Sequence, residues 1–247
     1  MQAPQYTDYD SFAWLYNTYW SERLIRQIYW TIEKYLLDRL SPESRVLDVC
    51  CGNAHLSAPM TQRGFQVTGI DGSAEMLRYA RQNSPTSTFM VADARDFSFD
   101  PIFDAAVCTC DSFNHIMAAD ELERAFINVY RALKPGGRFL FDLNTEEGYR
   151  AYWTGKTAGR VADDHAYLVT LSYDEEDNTS RFEATLFRLI DGNWTRSDAV
   201  LTQKFYPTAL VLGLLKKIGF IDIEVYDVEK DLKVAGTGRV MYVMRRE

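Results

Sequence analysis

Two acidic residues, Asp48 and Asp71, each end an apolar stretch and each precede small residues. Residues 46–49 are otherwise apolar without polar alternation, which is typical of a strand buried on both faces of a parallel sheet. Burying an unpaired carboxylate costs several kcal/mol, so Asp48 requires a partner or a ligand. The turn over residues 50–54 contains small residues, so a ligand can approach its backbone at the start of the next helix.

The charge at Asp48 discriminates between ligands for this turn. A dinucleotide site needs the glycines of a G-x-G-x-x-G pattern, whereas the turn contains Gly52 alone. A carboxylate also repels a pyrophosphate and attracts an ammonium or sulfonium group. The sequence therefore disfavours a nucleotide-dependent oxidoreductase and favours a cationic ligand. A buried strand and tight turn without a ligand is the alternative interpretation.

Asp71 lies 23 residues after Asp48, at the end of a strand predicted over residues 66–71. An acid about 20 residues beyond the first turn can accept two hydrogen bonds from the paired hydroxyls of a ribose. Ser73 is predicted to cap the following helix, which carries Met76. These features predict a nucleoside ligand at the ends of neighbouring strands.

The motifs DVCCGNA at residues 48–54, GIDGSAEMLRYAR at 69–81 and LKPGG at 133–137 resemble those of the class I S-adenosylmethionine (SAM) dependent methyltransferases. Cys50 and Ala54 stand where that family usually has glycines, so we expect weaker or displaced cofactor binding. The cofactor implied by the resemblance is SAM. The residues that it implies as cofactor contacts are Tyr16, Asp48, Cys50, Gly52, Asp71, Gly72, Met76, Asp93, Ala94 and Cys110.

The resemblance also implies individual roles. Asp93 would accept a hydrogen bond from the adenine amino group, and the backbone amide of Ala94 would contact a ring nitrogen. Tyr16, in the aromatic stretch over residues 6–20, would cover the cofactor near its methionine end or the transferring methyl group. Met76 would present an apolar surface to the adenine or ribose, although a methionine at helical spacing is more often part of the core.

His115 follows the fourth predicted strand, which ends at Cys110. Similar methyltransferases that act on amino groups carry a histidine at this position, which implies a catalytic base. A histidine that only fixes the loop is the alternative. The predicted reaction is methyl transfer to N or O of a small molecule, and a SAM-binding protein without methyl transfer is the second hypothesis.

Strand and helix patterns predict a Rossmann-like, doubly wound α/β sheet of seven strands, mostly parallel with the last strand antiparallel. The predicted domains are a helical lid over residues 1–40, a SAM-binding domain over 41–150 and 206–247, and an antiparallel β insertion over 151–205. This insertion resembles the roof of small-molecule methyltransferases. It could instead be the interface of a homodimer.

The composition restricts the partners. With 27 Lys and Arg against 35 Asp and Glu the net charge is −8, which argues against nucleic-acid binding. No apolar run is long enough to cross a bilayer and the first residues show no export signal, so we expect a cytoplasmic protein without membrane contacts. The four cysteines lack the C-x-x-C spacing of a zinc site, so we expect free thiols and no metal.

Overall fold

The computed structural model describes residues 8–236 and 238–247; residues 1–7, which begin the predicted lid, and residue 237 lie outside the described part. The strands are β1 Arg45–Val49, β2 Gln66–Asp71, β3 Thr88–Val91, β4 Phe103–Cys108, β5 Leu133–Asn144, β6 Lys156–Val161, β7 His165–Asp174, β8 Thr179–Ile190, β9 Asn193–Lys204, β10 Phe220–Asp227 and β11 Arg239–Arg246. The helices are α1 Ala13–Leu15, α2 Ser21–Tyr35, α3 Ser57–Gln62, α4 Ala74–Asn83, α5 Ala119–Ala132, α6 Glu146–Tyr152 and α7 Thr208–Ile218.

The larger sheet has seven strands in the order β10-β11-β5-β4-β1-β2-β3. β1 pairs in parallel with β2 and β4, and β5 continues the parallel part next to β4. β11 is antiparallel to both of its neighbours, β5 and β10. The predicted Rossmann-like fold class is thus confirmed. Because the order reverses between β1 and β4, their carboxyl ends open a crevice where such sheets bind ligands.

Helices cover both faces of this sheet. Leu47 and Val49 belong to the core beneath α5 and α7, whereas Val46 belongs to the core beneath α2 and α3. Successive side chains of a strand point to opposite faces, so Asp48 lies on the same side as Val46. This alternation directs the Asp48 carboxylate toward α3.

A second, antiparallel sheet contains β6, β7, β8 and β9 and confirms the predicted β insertion. Its inner face packs against aromatic residues of the N-terminal segment, by which we mean residues 8–20. The sequence predicted three of these strands and missed β6 and α6. All six residues of β6 are exposed, so its sequence lacks the apolar alternation that identifies a half-buried strand.

The helix after the first turn begins late. α3 spans only Ser57–Gln62, as the conflict between Pro59 and a regular helix from residue 54 predicted. Ser73 caps α4, because its hydroxyl accepts a hydrogen bond from the backbone N–H of Met76 at 3.1 Å.

Across residues 8–236 and 238–247, each helix is too short or too polar to span a bilayer.

Candidate active site

A cavity of about 310 Å³ lies at the carboxyl ends of β1, β2 and β4. The N-terminal segment and the inner face of the antiparallel sheet supply its remaining walls. The predicted site residues that line it are Tyr16, Cys50, Gly52, Asp71, Gly72, Met76, Asp93, Ala94, Cys110 and His115. The fold thus brings together residues that lie far apart in the sequence, and their roles in binding stay predictions.

Asp71 connects the ends of β1 and β2. Its carboxylate accepts hydrogen bonds from the backbone N–H groups of Gly52 and Ser73, each at 2.8 Å. Burial nevertheless raises the pKa of Asp71 to about 6, since desolvation outweighs these two bonds. The two hydrogen bonds fix the orientation of the carboxylate at the cavity wall.

The first turn has a left-handed backbone at three positions. Cys50, Gly52 and Ala54 have φ values of 56°, 53° and 62°. Glycine adopts this region without steric cost, whereas a residue with a Cβ atom does not. Positive φ at Cys50 and Ala54 explains why glycines are usual in this motif and shows that the turn keeps its shape without them.

Asp48 lies beneath the turn instead of in the cavity wall. Its side chain is 2% exposed, and its carboxylate accepts a hydrogen bond from the Ser57 hydroxyl at 2.6 Å. Burial raises the pKa of Asp48 to about 7, with a further contribution from the charge of Asp71. The predicted direct contact of Asp48 with the cofactor is thus not supported by its position.

Asp93 forms a tight ion pair with Arg95. The guanidinium Nη2 and Nε atoms lie 2.6 Å and 2.9 Å from the two carboxylate oxygens, and the Arg95 backbone N–H donates at 2.8 Å. Although burial opposes ionisation, these bonds hold the pKa of Asp93 below its usual range. The acid is therefore ionised, and its lone pairs beside Ala94 can accept a further hydrogen bond.

The N-terminal segment closes one side of the cavity with aromatic rings. The ring centroid of Tyr16 lies 6.4 Å from that of Tyr9 and 5.9 Å from that of Phe12. A Cβ atom on Gly52 would lie 3.7 Å from the Tyr16 ring, so the turn and the segment are in close proximity. Met76 is buried and also lines the cavity, so its core and cavity roles coexist.

The hydrogen bonds of His115 define its protonation pattern. Nδ1 lies 2.8 Å from the backbone carbonyl oxygen of Thr202, which can only accept, so Nδ1 carries the proton. Nε2 lies 2.8 Å from the Tyr9 hydroxyl and 3.1 Å from Nε2 of Gln203, and it accepts in neutral His115. Burial lowers the pKa of His115, although Asp111 and Asp8 oppose this shift.

A charged cluster lies beside His115, and the sequence patterns did not predict it. Arg239 forms ion pairs with Asp111 and, at 3.1 Å, with Asp142. The backbone N–H of Asp111 also donates to Asp142 at 2.9 Å. Burial raises the pKa of Asp142 against the opposing charge of Arg239. These residues come from the turn after β4, from β5 and from β11, so only the folded sheet brings them together.

Gln203 was also missed, although the sequence contains a signal for it. In β9, Ala199 and Leu201 point to the inner face and are buried. Period-two alternation places Gln203 on this same apolar face, and it is 3% exposed. A buried amide on an apolar face requires hydrogen-bond partners, which marks the residue as a site candidate.

Comparisons with known proteins agree with this fold. Residues 46–137 match the family model described as a methyltransferase domain. The protein YqeM of Bacillus subtilis (strain 168), whose name assigns it provisionally to the methyltransferases, is 32% identical over 217 residues, which is 86% of each chain. The chain belongs to the class I SAM-dependent methyltransferase family.

Two solved methyltransferase structures share the whole fold. A SAM-dependent methyltransferase from Clostridium acetobutylicum ATCC 824 has a TM-score of 0.73 at 22% identity, covering 96% of this chain and 98% of its own. The SAM-bound amino pentose methyltransferase CalS10 from Micromonospora echinaspora has a TM-score of 0.68 at 21% identity, covering 96% and 95%. At these identities the likeness concerns the fold alone.

The cavity of this methyltransferase fits SAM, the cofactor of its family. Asp71 offers carboxylate lone pairs for ribose hydroxyls, and Asp93 offers an ionised carboxylate beside the amide of Ala94. Met76 gives an apolar wall, and the left-handed turn exposes backbone at Gly52. The wall carries three carboxylates, of Asp71, Asp93 and Asp111, against the guanidinium groups of Arg95 and Arg239, and this balance of one negative charge suits a cationic ligand.

Proposed function

We propose that this methyltransferase transfers a methyl group from SAM to a nitrogen of a small-molecule amine, with His115 as the base. The single observation that carries the proposal is the position of Nε2 of His115. His115 lines the cavity, its Nδ1 is engaged by the Thr202 carbonyl, and its Nε2 faces Tyr9 and Gln203, which line the same cavity. The imidazole is thus oriented with its accepting nitrogen toward the cavity.

The charges around His115 support nitrogen over oxygen as the acceptor atom. Asp111, Asp142 and Arg239 together carry one net negative charge when the two acids are ionised. An amine that arrives as an ammonium ion compensates this charge. A hydroxyl acceptor would instead develop negative charge on its oxygen beside the Asp111 carboxylate, which is unfavourable.

The apolar walls support a small acceptor with an apolar or ring-shaped body. Aromatic side chains from three parts of the fold line the cavity: Phe12 and Trp20 near the N-terminus, Trp153 after α6, and Phe182 in β8. Such rings exclude water and stabilise a cation over their faces. An ammonium group next to them would be both desolvated and electrostatically favoured.

The chain contributes proton removal and positioning to the reaction. When bound, SAM supplies an electrophilic methyl group and leaves with the electron pair of the broken carbon–sulfur bond, as neutral S-adenosylhomocysteine. Nε2 of His115 accepts the proton that the amine must lose and returns it to solvent after release. The aromatic walls and the N-terminal segment hold the acceptor in place, and such positioning is worth up to about 7–11 kcal/mol.

The experiment uses ¹³C-methyl SAM with matched amines and alcohols of the same carbon skeleton, and with a small-molecule cell extract. Formation of S-adenosylhomocysteine reports turnover, and the carbon chemical shift of the product distinguishes N-methyl from O-methyl groups. We expect N-methyl products. His115→Ala should lower turnover by about 100-fold or more while SAM affinity stays within about twofold. Exclusive O-methylation, or turnover by His115→Ala equal to wild type from pH 6 to 9, would refute the proposal.

A further inference from the structure

Gln203 makes hydrogen bonds with both ends of its amide group. Nε2 donates to the Asp111 carboxylate and lies 3.1 Å from Nε2 of His115. Oε1 accepts from the Tyr149 hydroxyl at 2.8 Å and from the Asn144 amide at 3.0 Å. Because the tyrosine donates and the aspartate accepts, this pattern fixes which end of the amide carries oxygen. The orientation of Gln203 is therefore determined by its partners.

An amide N–H directed at His115 restricts the protonation of the imidazole. The nitrogen of Gln203 donates and cannot accept. Since Nδ1 of His115 donates to Thr202, protonation of Nε2 would place an N–H group against the N–H of Gln203. The contact with Gln203 thus stabilises neutral His115, the form that a base requires.

Gln203 also bridges His115 and Asp111. Its amide nitrogen carries two hydrogens, so it can donate to Asp111 and to His115 at the same time. The charge of Asp111 favours an imidazolium ion at His115, and the N–H group of Gln203 opposes it. A base that is already protonated is inactive. Asp8 and Tyr9 face His115 from the N-terminal segment, and Arg239 and Asp142 lie behind Asp111.

We propose that Gln203 is a positioning residue that keeps Nε2 of His115 unprotonated, because its amide nitrogen bridges this base and Asp111. The catalytic part of this inference rests on the proposed function, whereas the state of His115 can be measured without an acceptor. Gln203 lies on β9, so the antiparallel insertion completes the base as well as covering the cavity.

The test compares Gln203→Glu and Gln203→Met with wild type. The Gln203→Glu substitution keeps the shape and the acceptor for Tyr149 and Asn144 but replaces the N–H donor by a carboxylate oxygen. The Gln203→Met substitution fills a similar volume without any hydrogen bond. Gln66→Glu, the same substitution as the first at an exposed position of β2, controls for the added charge.

The readout is a pH titration of ¹⁵N-labelled histidines by NMR, which the three histidines of the chain make simple to assign. In wild type we expect Nε2 of His115 to be unprotonated above a midpoint lower than that of an ordinary histidine. In Gln203→Glu the midpoint should rise by about one pH unit or more, and in Gln203→Met by a smaller amount. The midpoint of His55 should stay as in wild type.

A midpoint of His115 within about 0.3 pH units of wild type, in either variant that keeps the wild-type near-ultraviolet circular dichroism, would overturn the inference. The midpoint would stay unchanged if Gln203 only joined β9 to Asn144 and Tyr149. If an acceptor is in hand, the acidic limb of kcat should move with the midpoint. A shifted midpoint in a protein that forms no methylated product would refute the proposed function and leave this inference standing.

Discussion

The carboxylate of Asp71 accepts a hydrogen bond from the backbone N–H of Gly52 over 2.8 Å, which joins the acid that ends β2 to the turn that follows β1. The second carboxylate oxygen is held in the same way by Ser73. Each oxygen keeps a further lone pair, so Asp71 can accept from ligand hydroxyls without breaking either bond. The bond therefore preorganises the acid for binding at little cost in side-chain entropy.

Asp71→Asn should weaken SAM binding by about 10–100-fold, because hydrogen bonds to a charged group are worth about 1.5–3 kcal/mol. Isothermal titration calorimetry with S-adenosylhomocysteine and with SAM measures the change. Asp100→Asn, at an exposed position, serves as the control and should bind as wild type does. Equal affinity of Asp71→Asn and wild type would remove Asp71 from the binding site.

Asp48→Asn should stabilise the protein at neutral and higher pH. The pKa of Asp48 is about 7 in the fold against about 3.9 in an unfolded chain. Between these values the unfolded state ionises first, so the buried acid lowers the free energy of unfolding as pH rises. This decrease in the free energy of unfolding reaches about 4 kcal/mol above about pH 7, and it is absent below about pH 4.

Urea unfolding of Asp48→Asn and wild type at pH 4.5 and pH 8 tests this relationship. The asparagine variant should gain stability relative to wild type on going from the lower to the higher pH. Since Asp48 lies beneath the turn, its substitution should reduce SAM affinity less than Asp71→Asn does. A larger loss at Asp48 would instead support the direct contact expected from the sequence.

Cys50 tests the cost of a left-handed backbone in the turn. At a φ of 56°, Cys50→Gly should be more stable than Cys50→Ala by about 1 kcal/mol, because glycine avoids the Cβ clash at some cost in unfolded-state entropy. Both variants lose the same thiol, so the pair isolates the backbone effect. Chemical denaturation measures it, and equal stability of the two would mean that the turn relaxes on substitution.

The sequence predicted the parts of the site that depend on local rules. Strands that end in an acid gave Asp48 and Asp71, and helix capping gave Ser73. The sequence does not predict the face of β1 from which the Asp48 side chain projects. That prediction requires knowing which face of β1 is covered by α3. Period-two alternation sets this direction only after the helices have been placed on the sheet.

Residues brought in by non-local pairing could not be predicted in the same way. Gln203 is 92 positions from Asp111, and their contact depends on how the antiparallel sheet packs over the larger one. Arg239 reaches Asp111 and Asp142 only because β11 inserts between β10 and β5. No local pattern at the start of β11 predicts that Arg239 pairs with these two acids. The sequence does indicate Gln203 as a site candidate, because it is an amide on the apolar face of β9.

Tyr9→Phe should change the pH dependence of the reaction more than its maximum rate. The Tyr9 hydroxyl lies 2.8 Å from Nε2 of His115 and donates to it, because Nδ1 holds the imidazole proton. Removing this donor takes away about 1 kcal/mol that favours neutral His115, so the pKa of the base should rise by about 0.5–1 units. Above pH 8 the variant should turn over at least as fast as wild type, since the acceptor no longer competes with the hydroxyl for the lone pair. Below pH 7 it should be slower.

A kcat profile from pH 5.5 to 9 measures both limbs, with Tyr35→Phe in the distant α2 as control. A uniform loss at every pH would mean that Tyr9 acts by packing on the cavity and not through its hydrogen bond to the base.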